Sequence, residues 1–482
     1  MKIYNSLTRQ KEDFVPVNAG KVGIYVCGIT VYGPPHLGHL RTYVAFDAIN
    51  EYFKHFKGYE VFYVRNITDV GSIVGDADDG EDKIELKANE EHLHPLELVD
   101  RYIKVMWDCL DAMRCERPNI SPRATGHIIE IMEAVQKMID TGFAYEVDGN
   151  VYCDIQKIKN YGELSGNTLE NLSAGARLEI DENKHNPFDF LIWKKARPNS
   201  VLKWNSPWGV GYPGWHMECS IMSTKYLGET FDIHGGGRDL RFPHHENEIA
   251  QNYALYNKDP VKCWVHTGML NASDGTKMSK SKNNYITAEE AIKEYGAVPL
   301  RWFFINGHYG SNMNLSKEVL DSSTAGLERI ENFFYNLNMN VGDNYNKALN
   351  VALTNLCHRF EEEMDDDFNT PNAISAIYDF IKEANQILPS KCYNIDNIKE
   401  IYGYFTKINQ VLKCFDFLEV KEPDKDVSGK IEKIESLMKE RNEFRANKDF
   451  NNADKIKAKI IEMGAEIFDN KDGTSTFKLS RR

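Results

Sequence analysis

The period of the apolar positions changes along the chain, and the changes mark out its segments. Val22-Gly23-Ile24-Tyr25-Val26 is a β-branched apolar run. A glycine- and proline-rich stretch follows, and then Tyr43, Val44, Phe46, Ile49 and Phe53 recur at helical spacing. This order predicts a strand, a loop and a helix. With a second strand, Tyr59-Glu60-Val61-Phe62-Tyr63-Val64, it makes residues 1–115 the first half of a parallel sheet with covering helices. Residues 116–200 read as an insertion that splits the sheet. It holds a helix near Ala124 to Thr141 and a hairpin turned at Asp148-Gly149-Asn150. The second half of the sheet is expected over residues 201–268, with strands at Thr230 to His234 and Cys263 to His266 and a helix beginning near Pro243. Thr287-Ala288-Glu289-Glu290 is a capping-box signature, and from there to about Leu418 the period is helical. Pro423 and Gly429 mark a linker, followed by a helical hairpin over Ile431 to Met463 and a short terminal segment.

Composition narrows the class. The 482 residues suffice for two to four domains, and 42% hydrophobic with 27% charged residues is ordinary for a soluble globular chain. No apolar run of about 18 residues and no signal-type opening is present, so no membrane role is expected. Nine cysteines, an odd number without framework spacing, point to free thiols and a cytoplasmic location. A net charge of −14 argues against indiscriminate coating of nucleic acid. It leaves room for a local basic face, and from Lys430 onward Lys433, Lys439, Arg441, Arg445, Lys455 and Lys459 shift the balance. Composition alone favours a solvated helical hairpin there.

Three stretches carry candidate chemistry. The first runs from Cys27 to Arg41 and includes His36-Leu37-Gly38-His39, on the strand-to-helix turn. In an open α/β sheet such a loop lies where ligands bind, and the helix start offers N–H groups to phosphate. The dinucleotide fingerprint G-x-G-x-x-G is absent. The second is Lys277-Met278-Ser279-Lys280-Ser281, where two lysines in a polar loop suit a triphosphate. The third is Gly235-Gly236-Gly237, expected to follow a strand directly and to let a nucleotide lie against bare backbone. An acidic, glycine-containing segment between Asp69 and Lys83 reads as a mobile loop, and its carboxylates lack EF-hand spacing.

His-Leu-Gly-His and Lys-Met-Ser-Lys-Ser together resemble the paired signatures of class I aminoacyl-tRNA synthetases. Val64-Arg65-Asn66-Ile67-Thr68-Asp69, Gly214-Trp215-His216-Met217-Glu218-Cys219-Ser220, Phe231 to Gly237 and Phe242-Pro243-His244-His245-Glu246-Asn247-Glu248 sharpen the match. Over essentially the whole chain the sequence resembles the cysteinyl-tRNA synthetases. The resemblance implies an α/β fold: a split Rossmann-like parallel-sheet catalytic domain (1–115 and 201–268), a connective insertion (116–200), a connecting region with the second signature (269–310), a helical bundle (311–420) and a small C-terminal anticodon-binding region (421–482).

It further implies ATP-dependent attachment of L-cysteine to tRNA(Cys) through cysteinyl-adenylate, with a monomer expected. His36, His39, Lys277 and Lys280 would serve catalysis, and with Gly235 and Gly236 would bind ATP. Thr68, Trp215 and Asp239 would contact the substrate cysteine. Cys27, Cys219, His244 and Glu248 match the family's zinc ligands, and zinc would recognise the cysteine thiolate. Spacing alone marks only His244 and Glu248, which share a helix face at i and i+4. Magnesium is expected with ATP. The chain departs from the family's pattern at Lys282-Asn283-Asn284, after the second signature, and in the Asp69 to Lys83 segment. Rival readings are a cysteine ligase acting on an amino sugar, which generally lacks the full C-terminal portion, and a non-catalytic zinc- and RNA-binding relative. A zinc hydrolase is disfavoured, since His-His-Glu-Asn-Glu is not His-Glu-x-x-His.

Overall fold

The structure is a computed structural model that describes residues 1–73, 80–167, 184–272, 275–276, 286–339, 341–388, 392–418, 425–447, 449–469 and 475–479. Lys277, Lys280 and residues 74–79 of the acidic 69–83 segment lie outside the described residues. The chain divides into two units, Met1–Phe417 and Leu418–Arg482.

The first unit is built on four parallel strands in the order Val261–Thr267, Phe231–Gly237, Lys21–Val26, Glu60–Arg65. Lys21–Val26 connects to one side and Phe231–Gly237 to the other, so the order of the sheet reverses between these two central strands. A crevice opens at such a reversal, at the carboxyl ends of the strands. The register is Ile24 beside Ile233, Tyr25 beside His234 and Val26 beside Gly235. Gly235-Gly236-Gly237 therefore forms the end of the strand itself and does not follow it. A side chain at Gly235 would strike the Phe46 ring, 2.0 Å from an ideal Cβ, so the glycine lets the helix Leu37–His55 pack flat on the sheet. Gly28 is small for a similar reason, since a Cβ there would overlap the Asn66 carbonyl.

The split expected in the sheet is present. Between its halves the helix Ile128–Asp140 packs on a five-stranded antiparallel sheet, and Ile131, Val135, Met138, Ile192 and Trp193 are buried in the shared core. The hairpin Ala144–Val147 and Asn150–Cys153 turns at Asp148 and Gly149, both at positive φ, as a tight Asp-Gly hairpin requires. Trp204–Ser206 and Gly209–Pro213 pair within this sheet, so its strands continue past residue 200. Trp204–Ser206 is the edge strand and Gly209–Pro213 lies between it and Phe190–Lys195, and both are too short for an apolar period to show.

From Lys317 to Leu412 four helices, Lys317–Met339, Lys347–Asp365, Thr370–Ile387 and Ile395–Leu412, form the bundle. A buried ionic knot holds it to the sheet. Arg301, on the helix Ala297–Ile305, pairs with Asp47 at 2.6 Å and donates to the Leu412 and Met113 carbonyls at 2.7 and 2.8 Å. Lys413 reaches the other Asp47 oxygen at 2.9 Å.

The second unit contains the helices Lys425–Ala446 and Phe450–Glu462 and an antiparallel ribbon, Ala465–Asp469 with Ser475–Leu479. Gly429, read from sequence as linker, falls inside the first of these helices. The residues after it, from Lys430 through Glu440, include many good helix formers, and a single glycine costs only about 1 kcal/mol. Among the described residues, no helix is long and apolar enough to cross a membrane.

Candidate active site and metal centre

At the carboxyl end of strand Lys21–Val26 the chain turns through Cys27 and Gly28, which are tied down by Cys27 N–H to the Gly235 carbonyl (3.0 Å) and Gly28 N–H to Asn66 Oδ1 (2.7 Å). It then enters the helix Leu37–His55 through a cap made of histidines. His36 is the N-cap: its Nδ1 accepts from the His39 backbone N–H at 3.3 Å, and His39 Nδ1 accepts from the His36 N–H at 3.2 Å. The rings stack with centroids 3.6 Å apart. Both Nδ1 atoms act as acceptors, so in the neutral rings the proton sits on Nε2. Burial and the neighbouring His36 hold His39 well below the usual histidine range, which keeps it neutral. The helix start thus presents imidazole N–H donors beside its own amides.

The residues flanking the second signature return to this cap. The Ala288 N–H donates to the Pro35 carbonyl at 2.9 Å, and Thr287 bridges His36 backbone to backbone. Thr287 then starts the helix Ala288–Tyr295 with the capping box expected from sequence, Glu290 returning to its N–H at 2.9 Å.

A buried cluster gathers donors from three elements. Cys27 follows the first strand, Cys219 lies on the helix Trp215–Leu227, and His244 and Glu248 are one turn apart on the helix His244–Tyr256. One donor atom from each lies within 4.8 Å of all the others. Cys27 Sγ is 3.7 Å from Cys219 Sγ and 3.6 Å from Glu248 Oε1, and His244 Nε2 is 3.1 Å from Glu248 Oε1. The sulfurs are too far apart for a disulfide. Glu248 Oε2 is buried without a hydrogen-bond partner, a costly state that a cation would relieve. Burial pushes the Glu248 carboxyl and the Cys27 thiol well up. Burial also raises Cys219, but hydrogen bonds from Cys27 and His244 bring it down to about 7. The arrangement suits a metal ion.

The structure also gathers histidines that sequence reasoning left outside the ligand set. His234 Nε2 and His245 Nε2 lie 3.4 and 3.2 Å from Cys27 Sγ, and with Cys27 and Glu248 they form a second, overlapping donor group. His216 Nδ1 is 2.8 Å from His244 Nδ1, and His266 Nε2 is 2.8 Å from His245 Nδ1. Each partner fixes a ring so that its Nε2 faces the cluster, as outer-shell groups do for metal-binding histidines. Only the pair of histidines before Glu248 offered a local signal, through spacings of i+3 and i+4.

Of the three residues expected at the amino acid, Trp215 touches this cluster. Half-buried Trp215 stacks on His244 with centroids 4.2 Å apart. Thr68 is buried, its Oγ1 accepting from Asn66 Nδ2 at 3.1 Å. Asp239 is exposed on the short turn Arg238–Arg241 after Gly237.

A split parallel sheet, a histidine-capped helix at its reversal point and a helical domain beyond define a class I aminoacyl-tRNA synthetase. The family described as tRNA synthetases class I (C) catalytic domain matches residues 13–325, and the DALR domain matches residues 359–416. Solved structures agree in fold. Mycobacterium tuberculosis methionyl-tRNA synthetase in complex with methionyl-adenylate is similar with a TM-score of 0.57 at 15% identity, over 83% of this chain and 89% of that one. Curated relatives are much nearer in sequence. Cysteine–tRNA ligases of Chlorobaculum tepidum and Bacteroides fragilis are 41% and 42% identical, covering 99% and 98% of this chain and the same shares of their own lengths. The chain belongs to the cysteine–tRNA ligase family.

Proposed function

We propose that the chain attaches L-cysteine to tRNA(Cys) through cysteinyl-adenylate, consuming ATP. The observation that carries this reading is the buried Cys27, Cys219, His244 and Glu248 cluster beside the His36 and His39 cap at the point where the sheet reverses. An amino-sugar ligase or a non-catalytic relative is not favoured, because likeness to cysteine–tRNA ligases extends over nearly all of the chain.

Joining a carboxylate to the α-phosphorus and releasing pyrophosphate asks for positioning and charge stabilisation more than covalent chemistry. His36 and His39, protonated on Nε2, would donate to phosphate oxygens together with the amides of the helix start. The strand end at Gly235 and Gly236 would run beside the nucleotide, although the room their missing side chains leave is filled by Phe46 and Leu240, and Lys277 and Lys280 would neutralise the departing pyrophosphate. Magnesium would accompany ATP.

The four-donor cluster would hold zinc. Tetrahedral zinc sets two thiolate sulfurs about 3.8 Å apart and nitrogen and oxygen ligands about 3.3 Å apart. The spacings of 3.7 Å for Cys27 and Cys219 and 3.1 Å for His244 and Glu248 are close to these values. When bound, zinc supplies a Lewis acid that lowers a thiol's pKa and prefers sulfur to a hydroxyl. Trp215 would form a wall of the amino-acid pocket, with Thr68 and Asp239 on its other sides.

Cysteine-dependent exchange of pyrophosphate into ATP tests the reading directly, and its absence would overturn it. Lys280→Ala should slow adenylate formation by about 10²-fold while leaving cysteine affinity nearly intact, as for a contact made mainly in the transition state. Wild-type single-turnover rates in that variant would remove Lys280 from the mechanism. A chain ending at Phe417, where the first unit stops, should still activate cysteine but charge tRNA poorly. Unchanged charging at moderate salt would give residues 418–482 another role.

A further inference from the structure

Two residues after His39, on the same helix, Arg41 carries a guanidinium that is almost wholly buried: the residue is 2% exposed. Among the described residues no carboxylate pairs with it. Its partners are four main-chain carbonyls. Nη1 donates to Gly268 and Met269 at 2.8 and 2.6 Å, and Nη2 donates to Tyr309 at 3.4 Å and to Ser311. These carbonyls belong to two segments that run together. Gly268 N–H donates to the Tyr309 carbonyl at 2.8 Å, and Leu270–Asn271 pairs in parallel with Met313–Asn314. They are packed so closely that a Cβ on Gly268 would sit 2.1 Å from the Ser311 carbonyl.

The first of these segments leads into the sequence that carries Lys277 and Lys280. Beyond those lysines, the chain is fastened back on Pro35 and His36. Both approaches to the second signature are therefore attached to the start of one helix, the incoming one by Arg41 and the outgoing one by backbone pairing. Burying an unpaired cation is expensive, and carbonyl dipoles offset the cost only when several converge. Arginine is the side chain for this, since its planar fork has five N–H groups in fixed directions, where lysine's single ammonium cannot span four carbonyls.

We propose that Arg41 is a positioning residue for adenylate formation: it locks the ribbon of residues 268–271 and 309–314 to the helix that His36 and His39 cap, and so sets where the second signature meets the phosphates. The proposal rests on the reading above that Lys277 and Lys280 act on pyrophosphate. It separates Arg41 from the metal cluster, which other elements build. Disturbing Arg41 should therefore affect the nucleotide half of the reaction and spare the amino-acid half.

The test uses the full-length chain with its metal. Arg41→Lys should lower kcat/KM for ATP in pyrophosphate exchange by at least ~10-fold. Metal content and KM for cysteine should stay within about twofold of wild type. Transfer of cysteine from preformed adenylate to tRNA, which no longer involves pyrophosphate, should keep its rate. Arg41→Ala should be slower still, and guanidinium ions added at concentrations too low to denature the chain should restore part of its exchange rate. Wild-type kinetics in Arg41→Lys would overturn the proposal. So would a parallel loss of metal, cysteine binding and both steps, or a failure of either variant to fold that guanidinium does not relieve. These outcomes are distinct from failure of the functional reading, in which the wild-type chain itself would show no cysteine-dependent exchange.

Discussion

Cys219→Ala and His244→Ala are each expected to strip the metal from the chain and to reduce cysteine activation by ~10³-fold or more, since a lost Lewis acid withdraws several kcal/mol of stabilisation. The size of the effect follows from how the cluster is made. Its donors come from three separate stretches and are buried, so removing one leaves three that cannot close around an ion without moving a strand or a helix. Elemental analysis and pyrophosphate exchange should fall in parallel. A variant that kept its metal but lost exchange would move the residue out of the ligand set. Under the proposed function, a metal held there would supply a chemical means of telling cysteine from serine, which size alone separates weakly. In cobalt-substituted protein, the visible absorption should change on adding cysteine and stay unchanged with serine. Metal-free wild-type protein that still rejected serine would refute this account of specificity. Whether the substrate sulfur adds as a fifth ligand or displaces Glu248 should be read from the intensity of the same band, because four- and five-coordinate cobalt absorb differently.

The largest expected effect on stability lies away from the site, at Arg301. Replacing it with methionine should cost the first unit about 3 kcal/mol, read as a lower urea midpoint, because Asp47 would stay buried with only part of its compensation. Lys413 remains on the other Asp47 oxygen, which places the cost at the lower end of the range for a broken buried pair. The pair is enclosed, with side chains 1% and 2% exposed, and Arg301 also satisfies carbonyls from the end of the bundle and from Met113. A double change that also turns Asp47 into leucine should recover part of the loss, since it removes the stranded charge. Recovery below ~0.5 kcal/mol would show that the carbonyls of Met113, Val411 and Leu412 carry the cost and that the ion pair does not.

The sequence displays its elements unevenly. The strand, loop and helix around His36 were readable because apolar period and turn residues agree there, and the capping box at Thr287 was explicit. The strands at Trp204–Ser206 and Gly209–Pro213 left no such mark, being too short and too polar for a period to show. The metal cluster illustrates a different limit. Positions 27, 219, 244 and 248 meet only after the sheet has folded, so no local spacing shows all four, and resemblance to a family had to supply them. The histidines behind the cluster were invisible for the same reason: His216 and His266 act through another ring, from elements distant in sequence. Gly235 shows how the physical reason for a glycine can lie elsewhere than the sequence suggests. Its lack of a side chain suggested room for a nucleotide, whereas the nearest atoms claiming that room belong to Phe46.

The histidine cap has a thermodynamic consequence. Each imidazole closes the helix end through its Nδ1, and under the proposed function the same cap would meet phosphate. Order at that helix end and affinity for phosphate would then be two readings of a single equilibrium. Reciprocity would require that whatever free energy ATP gains from a well-formed cap be returned as protection of the amides at Leu37 to Leu40 against exchange with solvent.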